Sequence, residues 1–149
     1  MEEFKVTNAQ QQNITPDIMG KVMLTCWKVG MKPDRPMQLI AVKDIGYFGA
    51  QAFLHPDQYA GRGISIAGDE LTYPEAHAVF KKVFGKDWPL TFDILGKGVL
   101  VLMSDIKAMF KWLDENESGA NIQELRKIRP ELLTFERWLK EESGWAKKN

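Results

Sequence analysis

The residues of this 149-residue chain whose types could do chemistry are two Gly-x-Gly segments, two histidines, one cysteine and one pair of adjacent carboxylates. Gly61-Arg62-Gly63 and Gly96-Lys97-Gly98 hold the first half of a dinucleotide-binding fingerprint. Neither reaches the third glycine, which that turn needs so that backbone can approach a pyrophosphate closely. Gly61 to Gly63 also precede an expected strand, where a phosphate turn should follow one. His55 and His77 are dispersed, and with Cys26 they do not make up the three or four converging donors that zinc requires. Surface or capping roles suit both histidines. Asp69-Glu70 could hold a cation or act as an acid-base pair, since one carboxylate raises its neighbour's pKa. The simpler reading places both at the positive end of a helix starting at Thr72. Cys26 falls on an apolar helix face with no base at a motif-like spacing, which makes it a buried, inert thiol. Tyr47, Tyr59 and Tyr73 have no lysine four residues on, so a tyrosine-based dehydrogenase centre has no local form here. The residues point to no catalytic, cofactor-binding or metal-binding set.

The elements that would position these groups come from hydrophobic period and punctuation. Residues 1–13 are polar and aperiodic and read as a leader. Thr15-Pro16 opens a helix on which Ile18, Val22 and Cys26, with Met19, Met23 and Trp27, form a broad apolar face ended by Gly30. Met19, Met23 and Trp27 are the expected surface for a substrate or partner. Met37 to Val42 reads as a strand, and Asp44 as the cap of a helix carrying Ile45, Phe48, Gly49, Ala52 and Phe53. Ile64 to Ala67 alternates like a second strand, and Leu90 to Phe92 suggests a third. Thr72 with Glu75 forms a capping box for a helix that Gly85 ends. Ile94 to Glu115 reads as one long helix or two broken near Gly96 and Gly98. Ile122 to Ile128 and a segment capped by Thr134 complete the set, and residues 143–149 read as a frayed tail. Trp112 and Trp138 lie within apolar helical patterns and read as core.

Composition bounds the rest. Twenty basic and twenty acidic side chains cancel, so the electrostatic footprint of a nucleic-acid binder is missing. Hydrophobic residues at 44% and charged ones at 27% are globular values, and a chain of this size can bury roughly 69% of its unfolded surface. One cysteine excludes an internal disulfide and suits a reducing compartment. The first residues show no secretory pattern, and Ile94 to Met103 is too short to span a bilayer. The expected setting is cytoplasmic or nuclear, without membrane.

Three runs in this order carry a resemblance: Leu39-Ile40-Ala41-Val42-Lys43-Asp44-Ile45-Gly46, His55-Pro56-Asp57-Gln58-Tyr59-Ala60-Gly61, and Ile66-Ala67-Gly68-Asp69-Glu70-Leu71-Thr72. Phe80 to Lys86, Met109 to Leu113, and the ending Pro130-Glu131-Leu132 with Phe135 and Trp138-Leu139 continue it. Together, over residues 14–142, the chain resembles the carboxy-terminal half of NmrA-like proteins, atypical relatives of the short-chain dehydrogenases/reductases. The resemblance implies an α/β fold, here a helix-dominated portion of a Rossmann-type fold with two or three short strands. It also implies that the full-length family binds NAD(P) through an amino-terminal Rossmann half that this chain lacks. The expected function is a non-catalytic substrate- or partner-binding region of a redox-sensing transcriptional regulator, holding no NAD(P) alone. The alternative is an NAD(P)-dependent oxidoreductase whose cofactor half is missing or supplied by another chain. Expected partners are that missing half, a second copy or a regulatory protein.

Overall fold

A computed structural model describes residues 17–116 and 119–146. Its elements in chain order are α1 (Ile18–Gly30), β1 (Met37–Leu39), α2 (Val42–Leu54), α3 (Pro56–Tyr59), β2 (Asp69–Leu71), α4 (Tyr73–Phe84), α5 (Asp93–Leu102), α6 (Ser104–Glu115), α7 (Ile122–Ile128) and α8 (Phe135–Glu141). Helix dominates, and the sheet among the described residues is one antiparallel pair, with Met37 opposite Leu71 and Leu39 opposite Asp69.

The expected helix ends hold where the signal is local. Thr72 accepts from the Glu75 N–H and Glu75 returns a bond to the Thr72 N–H, so the capping box satisfies two otherwise free donors of α4. Gly85 ends α4 at φ 68°, a left-handed conformation that costs a glycine nothing. Thr134 caps α8 by accepting from the Arg137 N–H.

Four expectations are corrected, the first three by a contact distant in sequence. The Ile64 to Ala67 stretch is not a strand. The ladder forms two residues later, at Asp69–Leu71, after Gly68 packs against the Leu133 carbonyl. Leu90 to Phe92 is also irregular, because Thr91 is bound to Thr25 instead of a strand partner. Helix α2 starts at Val42 with Ala41 at its cap position, and Asp44 turns inward to a buried partner. The long helical stretch breaks at Met103, not at Gly96 or Gly98; both glycines lie inside α5. For α1 the cap is Asp17, whose carboxylate accepts from the Gly20 N–H at 2.8 Å. The expected Thr15-Pro16 start, the 1–13 leader and the last residues of the 143–149 tail lie outside the described residues.

Helix α1 packs closely along α5 because small residues meet there. Gly96 sits against Thr25, and Gly30 against Leu100 and Phe110. The Thr25 hydroxyl donates to the Lys21 carbonyl at 2.8 Å and accepts from the Thr91 N–H at 3.0 Å, which pins the start of α5 to the middle of α1. The main core gathers Leu24 and Trp27 from α1, Phe80 from α4, Phe110 from α6 and Leu139 from α8. Each such side chain contributes roughly 1.5–3 kcal/mol by leaving water. A second, smaller core joins Phe48, Leu125 and Leu132 beneath α2 and α7.

Candidate functional site

Where α1, β1, α6 and α8 converge, the apolar surfaces do not close, and a cavity of about 360 Å³ remains. Met23, Leu24 and Trp27 of α1 form one wall. The chain from Met37 to the start of α2 at Val42 forms a second, and Met109, Phe110 and Leu113 of α6 a third. Leu133, Thr134, Phe135 and Trp138 close the end near α8. No lining side chain is ionisable.

The polar side-chain groups in this wall are mostly occupied elsewhere. Gln38 donates to Glu70 at 2.8 Å and exchanges two bonds with the Ala120 backbone, at 2.9 and 3.1 Å, in the manner of a strand neighbour. The Thr134 hydroxyl is spent on its cap. Trp27 is different: its ring is 3% exposed and its indole N–H has no hydrogen-bond acceptor. Tyr73 meets that ring edge-on at 5.7 Å and Trp88 at 6.1 Å. These contacts belong to a larger aromatic cluster that continues through Phe80 to Trp145.

The three residues expected to form one docking surface are divided by this packing. Met19 is 54% exposed on the outside of α1, Met23 is half-buried in the cavity wall, and Trp27 is core. Trp27 presents no outer face because α4 and the Trp88 loop bring two rings against it. The structure therefore brings Met23 and Trp27 together and separates Met19 from them. Met37, Met109 and Phe135 join the site without having been foreseen. Their apolar character was visible in the sequence, but a gap left between facing rows depends on summed volumes across four distant segments.

The remaining candidate groups have structural partners. Asp69 accepts from the Phe135 N–H at 2.9 Å and from the Glu70 N–H at 3.0 Å. It thus supports the start of α8, not of α4. Cys26 is fully buried with its thiol against the Gly96 carbonyl, and burial pushes its pKa up, away from a reactive thiolate. Burial, reinforced by the Asp93 charge, pushes Tyr73 up to about 12, far from the range in which a phenol transfers protons at neutral pH. His77 stacks near Trp88 and lies 3.4 Å from Asp87, while His55 is exposed at the end of α2. Among the described residues no group of three or more His, Cys, Asp or Glu could hold a metal ion. None of their helices is long and apolar enough to cross a membrane.

Neither Gly-x-Gly segment fits a pyrophosphate. Gly96-Lys97-Gly98 lies inside α5, where backbone N–H groups serve the helix and a methyl on Gly96 would stand 2.8 Å from Thr25 Cγ2. Gly61, at φ 71°, turns the chain out of the one-turn α3, and Gly63 leads into irregular chain, not into a helix N-terminus. The shallow groove beside it carries one charged side chain, Arg62.

Short helices, an antiparallel strand pair and a cleft between helices define a helix-rich α/β unit. Its sequence places it further: the model of the NmrA-like family matches residues 4–139, and the chain belongs to that family. The match begins within the stretch 1–13 that composition alone set apart. NmrA-like proteins generally bind NAD(P).

Proposed function

We propose that this chain is a non-catalytic, ligand-binding region of an NmrA-like regulator of the NAD(P)-binding type, corresponding to the carboxy-terminal half of the family fold. The observation that carries this reading is the cavity itself. Its volume lies within the range of small-molecule sites, and its wall is apolar and aromatic, without an acid, base or nucleophile. Such a wall recognises and holds, and nothing in it transfers a proton. Nucleotide binding is assigned to an amino-terminal Rossmann half outside this chain. Titration of the purified chain with NADPH, followed by calorimetry and nucleotide fluorescence, tests the assignment. No saturable binding is expected, and tight 1:1 binding by a single copy would overturn it.

A second reading, an oxidoreductase whose cofactor half comes from another chain, is favoured by one observation. Helix α2 is apolar on its outward side as well: Val42, Ile45 and Phe53 are exposed, Phe53 at 89%, with Gly46 and Gly49 open between them. Apolar side chains standing this far into solvent on one helix suit a surface that a partner covers. A nucleotide-binding half, or a second copy of this chain, would cover that side. Turnover discriminates: NADPH oxidation by this chain joined to a Gly-rich Rossmann half would favour the oxidoreductase, and nucleotide binding without turnover would favour the regulator.

A further inference from the structure

Resting on the binding role proposed above, we propose that the cavity between α1, β1, α6 and α8 selects an uncharged, flat, largely apolar molecule of two or three rings. Charge comes first. No side chain lining the cavity is ionisable, so a carboxylate, phosphate or ammonium would enter without a counter-ion and would lose its hydration uncompensated. The same wall that invites an apolar guest therefore rejects an anionic one, the dinucleotide included.

Size and shape come second. A dry cavity of about 150 Å³ holds one benzene ring. At about 360 Å³ this one has room for roughly two to three fused or linked rings. The lining favours flat, polarisable guests: Trp27, Phe110, Phe135 and Trp138 supply aromatic atoms to the wall, and Met23, Met37 and Met109 supply flexible thioethers that adapt to a guest's outline.

The test uses two probes that share one skeleton: neutral N-phenyl-1-naphthylamine and its sulfonated analogue, 1-anilinonaphthalene-8-sulfonate. Each is titrated into the full chain and followed by probe fluorescence. Saturable 1:1 binding of the neutral probe is expected, with the sulfonate at least tenfold weaker. Equal affinities, or no saturable binding of the neutral probe, would overturn the proposal. Met109 is 43% exposed at the cavity wall, so Met109→Glu sets a carboxylate there at little risk to the fold, and should weaken the neutral probe about tenfold. Phe53→Ala, on the far side of α2, should leave it unchanged. If Phe53→Ala weakens the probe as much as Met109→Glu does, the probe sits on the outer face and the proposal fails. The wild-type comparison needs no variant to fold. A failure here leaves the NADPH titration untouched, so the two readings fall separately.

Discussion

Asp44 and Arg129 form an ion pair across the smaller core, with Oδ1 and Nε 2.6 Å apart and the Asp44 side chain fully buried. The contact lies off the N–H axis, so it is Coulombic more than a directed hydrogen bond. The second carboxylate oxygen accepts from the Leu133 N–H at 3.0 Å, and the guanidinium lies 4.2 Å from the centre of the Tyr47 ring. One side chain thus ties the first turn of α2 to the link between α7 and α8, which also forms the end of the cavity.

Removing Asp44 leaves a mostly buried cation and a backbone donor without partners. Asp44→Ala should cost about 3–5 kcal/mol, the range for breaking a buried pair from one side. Lys28 and Asp93 make an exposed pair at 2.9 Å, and Lys28→Ala should cost at most about 1 kcal/mol. Urea unfolding of both variants gives the comparison. Similar midpoints would mean that the Asp44 pair is not the tie described here.

The two glycines of Gly96-Lys97-Gly98 should respond with opposite signs. A methyl at Gly96 meets Thr25 Cγ2 at 2.8 Å, and the space between α1 and α5 must open to admit it. Gly96→Ala is expected to destabilise by about 1–3 kcal/mol. Gly98 has nothing within 4 Å of a built Cβ, so Gly98→Ala gains helix propensity and should stabilise by about 0.5–1 kcal/mol. Thermal melts decide it. Equal effects at both positions would contradict the close helix packing.

These cases show what the sequence could convey. The Thr72–Glu75 box, the Gly85 stop and the Thr134 cap were legible because each involves residues within one turn of each other. Asp44 had every local mark of a helix cap, and it is Arg129 and the Leu133 N–H, 85 and 89 positions away, that draw it inside. Ile64 to Ala67 alternates correctly, but alternation describes two faces and says nothing of whether a neighbouring strand is present. The cavity was the least legible feature. Met23 and Trp27 were marked as a binding surface, but the other apolar lining residues carried no sign of one; the unfilled volume is a property of four segments together.

Glu136 predicts how stability follows pH. It lies between Lys140 at 2.6 Å on its own helix and Lys82 at 2.8 Å on α4, so it fastens α8 to α4 beside the main core. Hydrogen bonds from Lys140 and then Lys82 lower its pKa from 4.5 to about 2. A depressed carboxylate stabilises the folded state above its unfolded pKa, and that stabilisation disappears as pH falls through the folded one. The contribution is therefore complete above about pH 4.5 and lost by about pH 2. Glu75 and Asp87 are shifted in the same direction, by the Thr72 cap and by Lys81, so the whole chain should lose stability over acid pH. Glu136→Gln isolates one share of that loss: its Tm should fall less steeply than the wild type's between pH 4.5 and 2. High salt should narrow the difference at neutral pH, because these groups are open to solvent and screened. Parallel Tm–pH curves for the two proteins would show that Glu136 does not hold α8 against α4 in solution.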